Sequence, residues 1–212
     1  MTLRLYNFAR GARGLRALWL CEEMGLECEI VHVSYPQSAE FLALHALGTV
    51  PFLEDAGGVA IHESVAILLY LAERYGPTPL LPARDDPAFA ATLELTIFGE
   101  TAIGMPMNPL LADHFEAPAE HKRGWLVGVL ERQIGRAFAY LEDRLGEREY
   151  LVGDRLTLAD LSVACALGLW VGALDGALPE RLVAYRERLA ARPAYQRARA
   201  RNNGERASLP SS

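Results

Sequence analysis

One stretch, Gly76 to Pro87 (GPTPLLPARDDP), divides the chain into two unlike halves and limits what it can fold into. It is rich in proline and charge, and no hydrophobic periodicity crosses it, as expected of a domain boundary. Upstream of it, strand and helix patterns alternate. LRLYNF (3–8) reads as a strand, and GLRALWLCEEMG (14–25) places Leu15, Leu18 and Trp19 on one helical face before a glycine stop. CEIVHVSY reads as a second strand and AEFLALHALG as a short helix. VPFLEDAGGVAIHES reads as two strands joined at Asp55-Ala56-Gly57-Gly58, because adjacent glycines supply the positive φ of a tight hairpin. Ser64 to Tyr75 is then a helix, ended by Gly76 and Pro77. Downstream, only helical patterns occur: 89–101, a restart near Pro109, 122–145, 158–173 and 180–191. The order predicts an α/β domain over 1–77, a linker over 78–87 and an all-α domain over 88–212.

Charge and cysteine usage exclude several partners. The net charge of −6 comes from interleaved acids and bases, so no basic face is expected for nucleic acid. Cys21, Cys28 and Cys165 make neither an even framework nor a C-x-x-C pair, and each lies in an apolar context, as buried thiols in a reducing compartment do. The opening MTLRLYNFARGARG lacks the apolar core of a signal peptide, and the longest apolar run, Leu161 to Leu174, is too short to span a bilayer. A soluble cytoplasmic protein with no membrane partner is the expectation.

Two features of the first domain point to a ligand. Glu63 and Ser64 stand where a hairpin strand hands over to a helix. The free N–H groups of a helix start hold a carboxylate, a serine hydroxyl adds a donor, and an adjacent glutamate holds an ammonium. That set suits an α-amino-acid head group, although a serine there also serves as a plain N-cap. Pro51 heads the apolar run Phe52-Leu53, and proline is confined to strand starts, edges and turns. A trans proline on a sheet edge fits this placement. So does a cis bond, which would turn the Val50 backbone outward to pair with a bound peptide.

Taken together, GTVPFLEDAGGVAIHESVAILLYLAERYG (48–76) resembles the glutathione-binding stretch of the cytosolic glutathione transferases, and the likeness extends over nearly the whole chain. LRLYNFARGARGLRALWLCEEMG is similar to that family's first strand and helix. EREYLVGDRLTLADLSVACAL is similar to its second-domain signature, with Thr157 and Asp160 forming a capping box and Leu156 and Leu161 placed for a hydrophobic staple. The resemblance implies a thioredoxin-like N-terminal domain followed by an all-α helical C-terminal domain, a cis Val50-Pro51 bond, and a homodimer. It also implies glutathione as co-substrate, with no metal, held by the Val50 backbone, Glu63 and Ser64. The implied activity is detoxifying transfer: the glutathione thiolate attacks a small apolar electrophile. A glutathione-dependent isomerase or reductase on the same fold, and a non-catalytic glutathione or hydrophobic ligand-binding protein, are the alternatives.

The family activates the thiol with a tyrosine at the end of the first strand, or with a serine or cysteine in the next turn. Here the serine position falls at Ala12 and the cysteine position at Arg13, so Tyr6 is the expected donor, with Arg13 a cationic alternative. The family's Asn-Pro-x-Gly-Lys/Gln before Val-Pro is HALGTVP here; His45 replaces the asparagine and Thr49 the long polar side chain that often reaches the glycine carboxylate, so that contact is either weak or made by His45. The electrophile site is expected at Phe8, Phe98, Ala102, Met105 and Met107, where TAIGMPMNP interrupts a helix with Gly104, Pro106 and Pro109.

Overall fold

A computed structural model describes residues 3–204. They divide into two compact units: one takes the chain up to Thr78 and again from Ala190, the other is Pro79–Leu189.

The first unit is a four-stranded sheet in the order β2-β1-β3-β4, from β1 (Leu3–Phe8), β2 (Cys28–Val33), β3 (Phe52–Asp55) and β4 (Val59–His62). β1 and β2 run parallel, with Leu3 opposite Cys28, and β3 returns antiparallel with Tyr6 opposite Phe52. A parallel pair needs a crossover, which α1 (Ala12–Met24) supplies. Leu3, Leu5 and Asn7 of β1 are buried while Arg4, Tyr6 and Phe8 are more exposed, the two-residue alternation of a strand. The hairpin turns through Ala56–Gly58 with Gly57 at φ 77 and Gly58 at φ 80, where only glycine sits without cost. α2 (Ala39–Leu44) is capped by the Ser38 hydroxyl, and α3 (Ser64–Arg74) buries Ile67, Leu68 and Leu71.

This unit also recruits the end of the described chain. α9 (Pro193–Asn202) packs on α1, a helix beyond the expected limit of 191. Trp19 meets Tyr195 edge-on at 4.9 Å between ring centres, Arg192 pairs with Glu23 at 2.8 Å, and Arg197 and Arg201 pair with Glu22 at 2.7 Å each. The expected helical domain of 88–212 therefore shares its last segment with the sheet unit.

The second unit is helical. α4 (Ala88–Phe98) runs through a π-helical stretch, Gly99–Gly104, into α5 (Met105–Phe115), so the expected interruption is a change of helix type. α6 (Trp125–Leu145), α7 (Leu158–Leu174) and α8 (Glu180–Ala190) complete it. α4 lies close against α7: a Cβ at Gly99 would stand 2.6 Å from Ser162 Oγ, whose hydroxyl donates to the Thr96 carbonyl at 2.6 Å. The start of α7 carries the expected capping box. Asp160 accepts from the Thr157 N–H at 2.8 Å, and also from the Leu151 N–H and the Tyr185 hydroxyl, each at 2.9 Å. Among the described residues, no helix is long and apolar enough to cross a membrane.

Candidate functional site

The hairpin register brings the expected ligand residues of the first unit together. Phe52 pairs with His62, so the segment entering β3 (Thr49, Val50, Pro51) lies beside the segment leaving β4 (Glu63, Ser64). The Val50-Pro51 bond is cis. The β1–β3 ladder ends at Tyr6 and Phe52, which leaves the Val50 backbone beyond it.

Glu63 is the N-cap of α3 and sits at φ 72, ψ 111, a left-handed conformation that costs a non-glycine residue about 1–3 kcal/mol. Its side chain is 75% exposed, with Oε1 3.6 Å from His62 Nδ1. Ser64 is buried at the first helical position, and Arg16 Nη1 donates to its Oγ at 2.9 Å. A guanidinium can only donate, so this bond occupies the Ser64 oxygen and leaves the hydroxyl proton for another acceptor. The α3 N-terminus thus offers backbone N–H groups, a serine proton and a nearby positive charge to an anion, and an exposed carboxylate to a cation.

Arg16, which sequence reasoning passed over, is 2% exposed on α1. A charged residue on the buried face of a helix is a signal in itself, because burial of a guanidinium demands partners. Arg13 lies one turn earlier on the same stripe, half-buried in the first turn of α1, a turn with no acidic residue.

His45 is buried; its Nε2 is 3.0 Å from Thr49 Oγ1, and the ring stacks on Phe52 at 4.8 Å with His62 5.0 Å away. Burial, then the neighbouring His62, lowers its pKa. It shapes the loop before Val50 from behind, while Thr49 is exposed.

Tyr6 and Asn7 face opposite sides of the sheet. The Tyr6 ring packs on Phe41 and Phe52, both at 5.7 Å, and its hydroxyl donates to Glu54 Oε2 at 2.7 Å. Burial, then that bond, raises its pKa, so the proton stays on oxygen and is directed at Glu54. Asn7 Nδ2 donates to the Gly11 carbonyl at 3.0 Å and to Asn202 Oδ1 at 2.8 Å, so both its protons are taken. Phe8 is half-buried, edge-on to Tyr35 at 5.9 Å.

In the second unit, Phe98 and Ala102 are half-buried, Phe98 against Tyr140 at 5.1 Å, and Met105 is 51% exposed. Met107, expected to face a ligand, is completely buried. Its place on α5 directs it into the helical core, so it has no surface to offer. No group of three or more His, Cys, Asp or Glu suited to a metal occurs among the described residues.

Comparisons with known proteins bear on the family and the fold. Residues 1–73 match the family model of the glutathione S-transferase N-terminal domain, and residues 118–193 that of the C-terminal domain. Glutathione S-transferase Z2 of Arabidopsis thaliana is 31% identical over 76% of this chain and 74% of its own length. Elongation factor 1-gamma of Artemia salina is 31% identical over 77% of this chain, which spans 37% of that protein. Among solved structures, the glutathione transferase URE2P8 of Phanerochaete chrysosporium, crystallised with oxidized glutathione, is 27% identical with a TM-score of 0.84, and 96% of each chain is covered.

Proposed function

Because the chain belongs to the glutathione S-transferase family, we propose that it is a glutathione transferase that stabilises the glutathione thiolate for attack on a small apolar electrophile. The observation that carries this is the buried Arg16–Ser64 bond beside the exposed carboxylate of Glu63. The γ-glutamyl carboxylate takes the Ser64 proton and the α3 N–H groups, and its ammonium faces Glu63. The cysteinyl backbone pairs with Val50 next to Pro51, as an added strand segment does. Thr49, backed by His45, faces the glycine carboxylate.

That pose directs the thiol toward the start of α1. A thiol of pKa about 8.5 is only a few per cent ionised at neutral pH, and lowering it by two units takes roughly 2.7 kcal/mol of preferential stabilisation of the anion. The free N–H groups and positive end of α1, with Arg13 on the same stripe as Arg16, supply charge-assisted donors of that size. A role for Tyr6 requires its hydroxyl to leave Glu54. The thiol proton passes to solvent, and the sulfur forms a bond to the electrophilic carbon while a leaving group departs or the adduct takes a proton. We place the enzyme in the cytoplasm as a homodimer, as the resemblance implies.

A second reading, a glutathione-binding protein without turnover, is favoured by one observation: residues 9–14 contain no hydroxyl or thiol, and Tyr6 is held by Glu54. The ultraviolet thiolate absorbance of bound glutathione, followed against pH, separates the two. In the transferase reading ionisation begins well below pH 8, Arg13→Ala moves it up, and Tyr6→Phe leaves it in place. A shift abolished by Tyr6→Phe would return the role to Tyr6. No shift in the wild type would favour the binding protein.

A further inference from the structure

The last residue of α9 is built into the turn that starts α1. Asn202 is 2% exposed and ends its helix, where the last carbonyls have no partner within the helix. Its carbonyl is spent on the β1–α1 turn: it accepts from the Arg10 N–H at 3.0 Å and stands 3.2 Å from His32 Nε2. The side chain holds the same turn. Its Oδ1 accepts from Asn7 Nδ2 at 2.8 Å, and its Nδ2 donates at 3.2 Å to the carbonyl of Gly11, the N-cap of α1. Asn7 Nδ2 donates to that same carbonyl at 3.0 Å. Two side-chain amides thus clasp the N-cap carbonyl, one of them from 191 residues away.

The turn held in this way carries two costs. Arg10 sits at φ 65, left-handed for a residue with a side chain, and Asn7 Oδ1 is buried without a hydrogen-bond partner among the described residues. Strained backbone and unpaired buried polar atoms persist where the surrounding contacts over-determine them, and they gather at functional sites. Asn202 supplies those contacts, and the geometry of the peptide unit says what they achieve. In a planar trans peptide the Gly11 carbonyl and the Ala12 N–H point in opposite directions. Holding the carbonyl against the two amides therefore aims the Ala12 N–H away from them, out of the start of α1.

We propose that Asn202 is a positioning residue for the glutathione thiolate: by holding the Gly11 carbonyl it aims the Ala12 N–H, a free donor of the α1 start, at the sulfur. This rests on the transferase reading above, in which those donors ionise the thiol. A hydrogen bond weakens steeply as its angle closes, and a displacement of about 1 Å at a reacting group costs on the order of 100-fold in rate. Asn202 thus acts on the reaction from the last turn of α9 without touching glutathione.

The full chain is compared with Asn202→Ala, which removes both side-chain bonds, and Asn202→Asp, which keeps the bond from Asn7 but has no proton to give Gly11. Alanine adds no charge and aspartate leaves the packing intact, so where Asn202→Ala loosens α9, seen in its own amide exchange, Asn202→Asp decides. Three quantities are read: amide exchange at Arg10 and Gly11 without ligand, ionisation of bound glutathione from its ultraviolet thiolate absorbance against pH, and the Kd of S-methylglutathione, which has no thiol. Both variants are expected to exchange roughly 5-fold faster at Arg10 and Gly11 and to hold about 5-fold less thiolate below the midpoint, the weight of one net hydrogen bond, with the S-methylglutathione Kd within about 2-fold of wild type. Failure of the transferase reading looks different: bound glutathione does not ionise in the wild type, and the ligand-free exchange then decides alone whether Asn202 holds the turn. The proposal is overturned if Arg10 and Gly11 exchange alike in all three proteins, or if a wild-type thiolate shift survives unchanged in both variants. It is also overturned if glutathione and S-methylglutathione lose affinity equally with that shift in place, since Asn202 would then act on the fold alone.

Discussion

Arg16 and Ser64 are joined by a buried hydrogen bond of 2.9 Å that ties the middle of α1 to the first residue of α3. Its direction matters more than its length, because it fixes which way the serine proton is free to point. Arg16→Lys keeps a charge but loses the planar fork that reaches Ser64. The expected result is weaker glutathione binding by about 1.5–3 kcal/mol, roughly 10- to 150-fold in Kd, the range for a hydrogen bond involving a charged group. Titration calorimetry with glutathione, and with an analogue lacking the γ-glutamyl carboxylate, checks it. An equal loss for both ligands would show that Arg16 acts on the fold and not through Ser64.

Glu63 stands in a conformation that favours glycine, and its side chain is the exposed carboxylate of the proposed site. The two properties come apart under mutation. Glu63→Gly removes the carboxylate and the backbone penalty, whereas Glu63→Ala removes only the carboxylate. The glycine variant is expected to be more stable than the alanine variant by about 1 kcal/mol, while both bind glutathione more weakly to a similar extent. Urea denaturation of the two variants measures the difference. Equal stabilities would mean that the strain at residue 63 is relieved by other means.

Local chemistry was legible in the sequence where it was written in neighbouring residues. Gly57 and Gly58 mark the hairpin, Thr157 and Asp160 mark the start of α7, and Glu63-Ser64 marks a helix start with room for an anion. What escaped was set at long range. Ser64 is 48 residues from Arg16, and the partners of Glu22 are 175 and 179 residues away, and no period or motif links them. α9 was missed because PAYQRARARN is too rich in arginine to show an apolar stripe, yet those arginines answer carboxylates on α1. Tyr6 shows a further limit. Alternation places a strand tyrosine on one face of the sheet, but only the register, which sets Arg4 opposite Glu54, shows where its hydroxyl ends.

The turn into α1 is packed around Asn7. A Cβ at Gly14 would stand 2.2 Å from Asn7 Cγ, closer than any relaxation of the β1–α1 turn can absorb without moving the amide. Gly14→Ala is therefore expected to destabilise the protein by about 1–3 kcal/mol or more, the cost of overpacking a closed site. The double variant Asn7→Ala, Gly14→Ala removes the clashing amide, so its cost is expected to fall short of the sum of the singles by more than about 0.5 kcal/mol. Additive costs in a denaturation cycle would show that the two positions are independent.

The docking of α9 is expected to fail in acid before the rest of the first unit does. Burial raises the carboxyls of Glu22 and Glu23, but Arg197 and Arg201 on the one, and Arg192 with the Trp19 indole on the other, outweigh it and hold both below the ordinary carboxylate range. A carboxylate whose folded pKa lies below its unfolded value adds stability above the unfolded value, about 4.3 for glutamate, and loses it as pH falls through the folded one. The loss is directed at α9, because Arg197 and Arg201 of the helix and Arg192 at its N-cap contribute three ion pairs to α1. Asp55 is also held low, with the Tyr75 and Tyr70 hydroxyls outweighing burial, but it secures the hairpin to α3 and not α9. Amide hydrogen-exchange protection of 193–202, corrected for intrinsic rates, should fall as the pH drops below about 4.3 while that of β1 and β3 persists. Glu22→Gln should lower the protection of α9 at neutral pH and shrink the acid step. If α9 keeps its protection until the whole unit unfolds, apolar packing such as Trp19 on Tyr195 holds the helix, and the ion pairs are incidental to it.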